Sequence, residues 1–226
     1  MPDSIEKRNL RELPIEQLIR VADILIEAMP FIREFRGSIV VVKYGGAAMV
    51  RPELKEAVIR DIVLMSDVGV RPIVVHGGGP EITALMKRLG IEPQFVDGQR
   101  VTDAETLRVA EMTLVGGVNM DLTHRLNHLG GRAVGLSGAD AGLLVAEKLE
   151  NLDTQGRPKG DLGYVGRVKR VNPEILKALM EQSMIPVISP IGVGEEGQRY
   201  NINADTVALE VARAAGARKL IFLTDT

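Results

Sequence analysis

Residues 72–80 read Pro-Ile-Val-Val-His-Gly-Gly-Gly-Pro, and residues 38–46 read Ser-Ile-Val-Val-Val-Lys-Tyr-Gly-Gly. Each is a short, continuous β-branched run that closes on glycines. A strand with one wet face would alternate apolar and polar residues, so runs of this kind predict strands buried on both faces. After each glycine turn the period changes. Residues 53–68 and 80–89 carry apolar side chains at helical spacing, and Gly90 caps the second segment. The same alternation continues along the chain. Strands are predicted at 132–136, 186–189 and 219–224, and helices at 103–114, 119–129 and 204–215, with a break between the first two at Gly116-Gly117. The sum is an α/β fold, a three-layer αβα sandwich with a mainly parallel central sheet.

Two regions depart from this pattern. Residues 143–147 and 164–171 predict antiparallel strands, a hairpin enclosing a mobile stretch rich in Gly, Asp and Lys. Residues 13–35 predict an amphipathic helix with Pro14 in its first turn. Pro30 should kink or interrupt it, and Gly37 should end it. The organisation expected is a helical extension over 1–37 followed by one domain over 38–226.

Composition narrows the function classes. The chain has 226 residues, 45% hydrophobic and 26% charged, with a formal net charge of -2. Neither nucleic acid nor an anionic membrane is favoured by that balance, and four Phe, three Tyr and no Trp give little for bases to stack on. No apolar run reaches the roughly 18 residues of a transmembrane helix, and the first residues lack the apolar core of a secretory signal. The absence of cysteine removes disulfides, thiolate metal sites and a cysteine nucleophile, and fits a cytoplasmic protein. His76, His124 and His128 do not form a metal-ligand pattern, so no protein-bound metal is expected.

Chemistry is expected where the strands end, because open α/β sheets bind ligands at their carboxyl edges. Lys43 closes the first strand and is followed by Gly45 and Gly46, whose backbone can approach an anion closely. Taken alone, Lys43 reads first as a lysine snorkelling out of the sheet. His76-Gly77-Gly78-Gly79-Pro80 opens a helix, so Gly78 and Gly79 offer backbone donors at its positive end. Neither loop has Walker A or G-x-G-x-x-G spacing, which argues against a P-loop nucleotidase and a dinucleotide dehydrogenase. Arg100 precedes a helix whose N-cap is Asp103. It could clamp a carboxylate, or simply lie at the surface. Asn201, Asn203 and Asp205 fall in Tyr-Asn-Ile-Asn-Ala-Asp (200–205), at the entry to a further helix.

In order, VVVKYGGAAM (40–49), VVHGGGPEI (74–82), GQRVTD (98–103), GGRAVGLSGAD (130–140), PVISPIG (186–192), YNINADTVA (200–208) and LTDT (223–226) resemble the amino acid kinase family. The combination is most similar to members acting on N-acetyl-L-glutamate rather than on carbamate, aspartate or uridylate. The resemblance implies transfer of a phosphoryl group from ATP, with Mg2+, to the γ-carboxylate of N-acetyl-L-glutamate, an early step of arginine biosynthesis. It implies that Lys43 stabilises the phosphoryl group, that Gly45 and Gly46 hold the same phosphate, and that Gly78 and Gly79 hold the reacting carboxylate. Arg100 and Asn201 would fix the amino-acid end, and Asp205 would orient catalytic lysines. The hairpin resembles a lid over the acetylated substrate. The N-terminal helix resembles the one that interlaces dimers in arginine-inhibited hexamers, so a homodimer or hexamer, L-arginine feedback and a PII signalling partner are implied as well. In two respects the chain departs from the family. Ala139 stands where many members carry lysine, and the sequence ends at Thr226, where the family continues into most of its nucleotide-binding half. That ending leaves two other readings: another acid substrate, or a non-catalytic truncated chain that binds substrate or partner subunits.

Overall fold

The computed structural model describes residues 14–46, 49, 51–152, 155–157 and 159–223. In chain order the elements are α1 (Ile15–Phe35), β1 (Ile39–Tyr44), α2 (Pro52–Asp67), β2 (Arg71–His76), α3 (Gly79–Arg88), β3 (Phe95–Val96), β4 (Gln99–Arg100) and α4 (Ala104–Glu111). A π-helical stretch (Met112–Asn119) leads into α5 (Met120–His128). Then come β5 (Ala133–Ser137), β6 (Leu144–Lys148), β7 (Val165–Val171), α6 (Glu174–Glu181), β8 (Ile185–Ser189), β9 (Ile191–Val193), β10 (Arg199–Ile202), α7 (Ala204–Ala215) and β11 (Lys219–Leu223).

Five strands form the central sheet in the order β11-β1-β2-β8-β5, every neighbouring pair parallel. The unbroken apolar runs follow from burial on both faces. Val41, Ile73, Val75 and Ile188 pack on one side against α6 and α7, through Leu176, Met180, Val207 and Val211. Val40, Val42, Val74 and Val187 pack on the other side against α2 and α5, through Ile59, Ile62, Leu122 and Leu126. Ile73, Val74 and Val75 are fully buried, each contributing about 1.5–3 kcal/mol of apolar burial. The three-layer sandwich expected from sequence is therefore the observed one.

The predicted hairpin exists, β6 running antiparallel to β7. It is also stitched on both edges: β7 pairs with β10, β10 with β9, and β9 with β6, which closes a four-stranded ring. The connection expected to be mobile is tied down at its distal end. Leu162 is buried, its carbonyl accepts from the Thr102 amide at 2.9 Å, and the Tyr164 amide donates to Thr102 O; residues 153, 154 and 158 of it lie outside the described residues.

Two predicted breaks are absent. Pro30 lies inside α1 without interrupting it. The helix is exposed along its length, so water can solvate the carbonyl that proline leaves without a donor. Gly116-Gly117 does not split the following helix either. The chain passes from α4 to α5 through the π-helical stretch, which inserts an extra residue into the helical turn. Thr113 supports the start of this stretch by donating its hydroxyl to Val109 O at 2.8 Å.

Candidate active site

The ends of β1, β2 and β8, joined by β4, β10 and the starts of α3 and α7, surround a cavity of about 340 Å³ at the carboxyl edge of the sheet. Lys43, Gly45, Gly46, Gly78, Gly79 and Arg100 line it together with Asn201 and Asp205. All the candidate residues picked out in the sequence are thus brought to one place, although they span 163 positions, 43 to 205. Asn203 lines it as well.

Lys43 is the penultimate residue of β1, and its side chain lies over Gly45. A methyl group on Gly45 would come within 2.4 Å of Lys43 Nζ, so the glycine gives the ammonium its path. That ammonium pairs with Asp205 Oδ1 at 3.0 Å. Asp205 sits in the first turn of α7, where a carboxylate is favoured by the helix dipole. Asn203 caps α7 by accepting from the amides of Asp205 and Thr206 at 2.8 and 3.2 Å. The cap holds Asp205 in place while leaving its carboxylate for Lys43.

Gly77 to Gly79 turn from β2 into α3. The Gly77 amide donates to Tyr44 O at 2.8 Å, which binds the turn to the end of β1. No side chain caps α3, so its N-terminal amides stay available to a ligand. A methyl group on Gly78 would meet Leu114 Cδ2 at 2.5 Å, whereas one on Gly79 would meet nothing within 4 Å. Gly78 is a packing requirement, then, and Gly79 faces open space.

Arg100 reaches the cavity from a two-residue hairpin whose turn, Asp97-Gly98, has φ of 49° and 76°. Two positive φ values in succession are the mark of a type I′ turn, and Asp-Gly supplies them. The guanidinium is largely buried. It stacks 4.8 Å above the Phe95 ring and donates to Gly79 O at 2.9 Å and Thr83 Oγ1 at 2.7 Å. Burial draws its pKa below the ordinary arginine value. Arg100 thus buttresses α3 as well as lining the cavity. Asn201 is held at the other wall, its amide Nδ2 donating to Thr102 Oγ1 at 3.4 Å. Asp103 caps α4 through the Thr106 amide, a bond that keeps its carboxyl below the usual range.

His76 is not a reacting group. It is fully buried; Nδ1 lies 2.8 Å from Gly77 O and Nε2 lies 3.1 Å from Asn119 Nδ2. Burial pushes its pKa down to about 4. His124 and His128 share a face of α5, and among the described residues no group of three His, Cys, Asp or Glu side chains gathers as a metal site. Sequence reasoning missed Asn119, whose role becomes visible only once β8 and β5 are neighbours. The terminal Thr224, Asp225 and Thr226 of the LTDT segment lie outside the described residues.

A cavity that gathers Lys43, Arg100 and two glycine turns is equipped to hold anions side by side. This fold and this edge define the class: the chain belongs to the amino acid kinase family, whose model matches residues 38–226. Within that family it is similar to acetylglutamate kinases. It is 54% identical over 204 residues to the acetylglutamate kinase of Moorella thermoacetica, covering 89% of this chain and 69% of that protein. It is 52% identical to that of Carboxydothermus hydrogenoformans (94% and 73%) and 56% identical to that of Synechococcus elongatus (90% and 65%). Among solved structures, the N-acetylglutamate synthase of Neisseria gonorrhoeae, complexed with coenzyme A and N-acetyl-glutamate, superposes with a TM-score of 0.75. The two are 25% identical, and the match covers 89% of this chain and 45% of that one. Giardia carbamate kinase shares the fold at a TM-score of 0.59 and 14% identity, over 84% of this chain and 73% of that one. ATP as phosphoryl donor follows from the family. No helix among the described residues is long and apolar enough to cross a membrane.

Proposed function

We propose that this chain transfers the γ-phosphoryl group of ATP, taken as its Mg2+ complex, to the γ-carboxylate of N-acetyl-L-glutamate. One observation carries the reading: a single cavity holds Lys43, two glycine rows and Arg100 in a chain more than half identical to acetylglutamate kinases. A carboxylate is ionised at neutral pH and needs no base to attack phosphorus. Its oxygen forms the new bond to the γ-phosphorus. The bond from that phosphorus to the β–γ bridging oxygen breaks, and ADP leaves with the electron pair. The products are ADP and N-acetyl-L-glutamyl 5-phosphate, an acyl phosphate on the way to arginine.

Bringing two anions together is the main barrier, so positioning and charge neutralisation carry catalysis. In this reading Lys43 bridges the oxygens of the transferring group, and Asp205 aims it. Gly45 and Gly46 hold the same phosphate. Gly78 and Gly79 receive the γ-carboxylate, while Arg100 and Asn201 take the amino-acid end.

Trapping with hydroxylamine tests the reading. Hydroxamate should form with ATP and N-acetyl-L-glutamate, and not when carbamate or aspartate replaces it. Hydroxamate from aspartate in preference to N-acetyl-L-glutamate would contradict the substrate assignment. Self-association is the second part of the reading. None of α1 is buried in the single chain, and Ile19, Ile24, Leu25, Ile26 and Phe31 are exposed. A second copy of the chain is its expected cover, and sedimentation showing only monomer would contradict that.

A further inference from the structure

The Gly77–Gly79 donor row is held from behind by a chain of hydrogen bonds that begins in the π-helical stretch. Asn119 is buried at the end of that stretch, between β8 and β5. Its Nδ2 donates to Val187 O at 2.9 Å, with Leu136 O at 3.4 Å. Both are carbonyls, so the amide cannot be turned the other way without setting oxygen against oxygen. Room for it is made by Gly135, the β5 residue paired with Val187, where a methyl group would lie 2.1 Å from Asn119 Oδ1.

That orientation decides the next link. Asn119 Nδ2 also faces His76 Nε2 at 3.1 Å, and since Nδ2 can only donate, Nε2 must accept. The ring proton then belongs on Nδ1, which donates to Gly77 O at 2.8 Å. A carbonyl held in this way fixes the plane of the Gly77–Gly78 peptide. In a planar trans peptide the Gly78 N–H points opposite the Gly77 carbonyl, hence away from His76, where the glycines line the cavity.

We propose that Asn119 is the positioning residue of the glycine row: acting through His76, it sets the Gly77–Gly78 peptide so that the Gly78 N–H meets the substrate carboxylate. The π-helical stretch is what brings Asn119 to the sheet, which accounts for the extra residue in an otherwise regular helix. The inference rests on the acetylglutamate reading for the identity of the carboxylate, and on the hydrogen-bond chain alone for the positioning.

The test uses the full chain labelled with 15N, whose three histidines make the ring resonances assignable. His76 should show the Nδ1–H tautomer. Two variants disturb Asn119 in different ways: Asn119→Asp removes the donor with little change of shape, and Gly135→Ala pushes the side chain from the far side. In each, the His76 ring signature should change, and the Kd for N-acetyl-L-glutamate should rise about tenfold, the scale of one lost buried hydrogen bond. Titrations are run well below each variant's Tm, where a merely structural role would leave Kd unmoved. If one variant fails to fold, the other and the unaltered chain's tautomer still decide. An Nε2–H tautomer in the unaltered chain would overturn the positioning. So would a changed His76 signature with Kd within about twofold. No binding of N-acetyl-L-glutamate by the unaltered chain, with the Nδ1–H tautomer present, would overturn the functional reading and the substrate named here, and would leave the geometry standing.

Discussion

A lysine at the end of a buried strand is costly unless it has a task, and the 3.0 Å contact of Lys43 with Asp205 at the mouth of the cavity supplies one. Lys43→Ala should lower kcat by roughly a hundredfold to a thousandfold, the usual loss for one charge-stabilising donor, with little change in Tm; unchanged turnover would remove Lys43 from the chemistry. Arg100 is expected to act on binding. Arg100→Ala should raise the KM for the acid substrate roughly tenfold to a hundredfold, and also loosen α3, because the Gly79 and Thr83 bonds go with it. Arg100→Lys should recover charge but not the fork, and so only part of the affinity. His76 gives a pH dependence whose sign is determined. Its folded pKa of about 4 lies below the ordinary 6.5 because burial disfavours the charged ring. Between those values the unfolded chain binds more protons, so stability is complete above pH 6.5 and falls as pH drops toward 4. The loss is on the order of 3 kcal/mol. Thermal melts from pH 7 to 4.5 should show it, and His76→Gln should flatten the curve. An equally steep curve in that variant would place the acid sensitivity elsewhere.

The elements show which sequence signals transmit structure faithfully. The cap of α7 is local: Asn203 accepts from two amides, and Gly216 ends the helix at φ 66°. Asn203→Ala should destabilise by about 1 kcal/mol. It should also lower turnover, since the first turn it holds carries Asp205; a stability loss with unchanged kcat would separate the cap from the site. Local signals of this kind were legible, as was Asp103 at the start of α4. The hairpin that delivers Arg100 carried a Val-Asp-Gly-Gln signal that was readable but is only two residues per strand, below the reach of alternation. The π-helical stretch was not legible. Gly116-Gly117 reads as a break by propensity, while the stretch is held by tertiary bonds from Asn119 to β5 and β8, strands that follow it in sequence. Pro30 misleads in the same way, because the penalty it carries depends on whether the helix around it is wet.

Across the whole molecule, the period of the apolar residues was enough for the layers and for the parallel sheet. The strands are buried on both faces, and that leaves a signature in each run. Strand order was not readable, because β11-β1-β2-β8-β5 depends on crossovers rather than on any one segment. The closed ring of β6, β7, β9 and β10 was half visible: β6 and β7 signalled a hairpin, while β9 and β10 are too short to announce their partners. The site was legible as residue types but not as a place, since only the fold brings position 43 to position 205. Titrating N-acetyl-L-glutamate into the 15N-labelled chain, and following every backbone amide, tests that convergence most directly. The largest shifts should fall on Gly78, Gly79, Arg100 and Asn201, with smaller ones at Gly45 and Gly46. Shifts confined to the separate cavity beside Thr123 and Asn127, with the glycine rows silent, would contradict it.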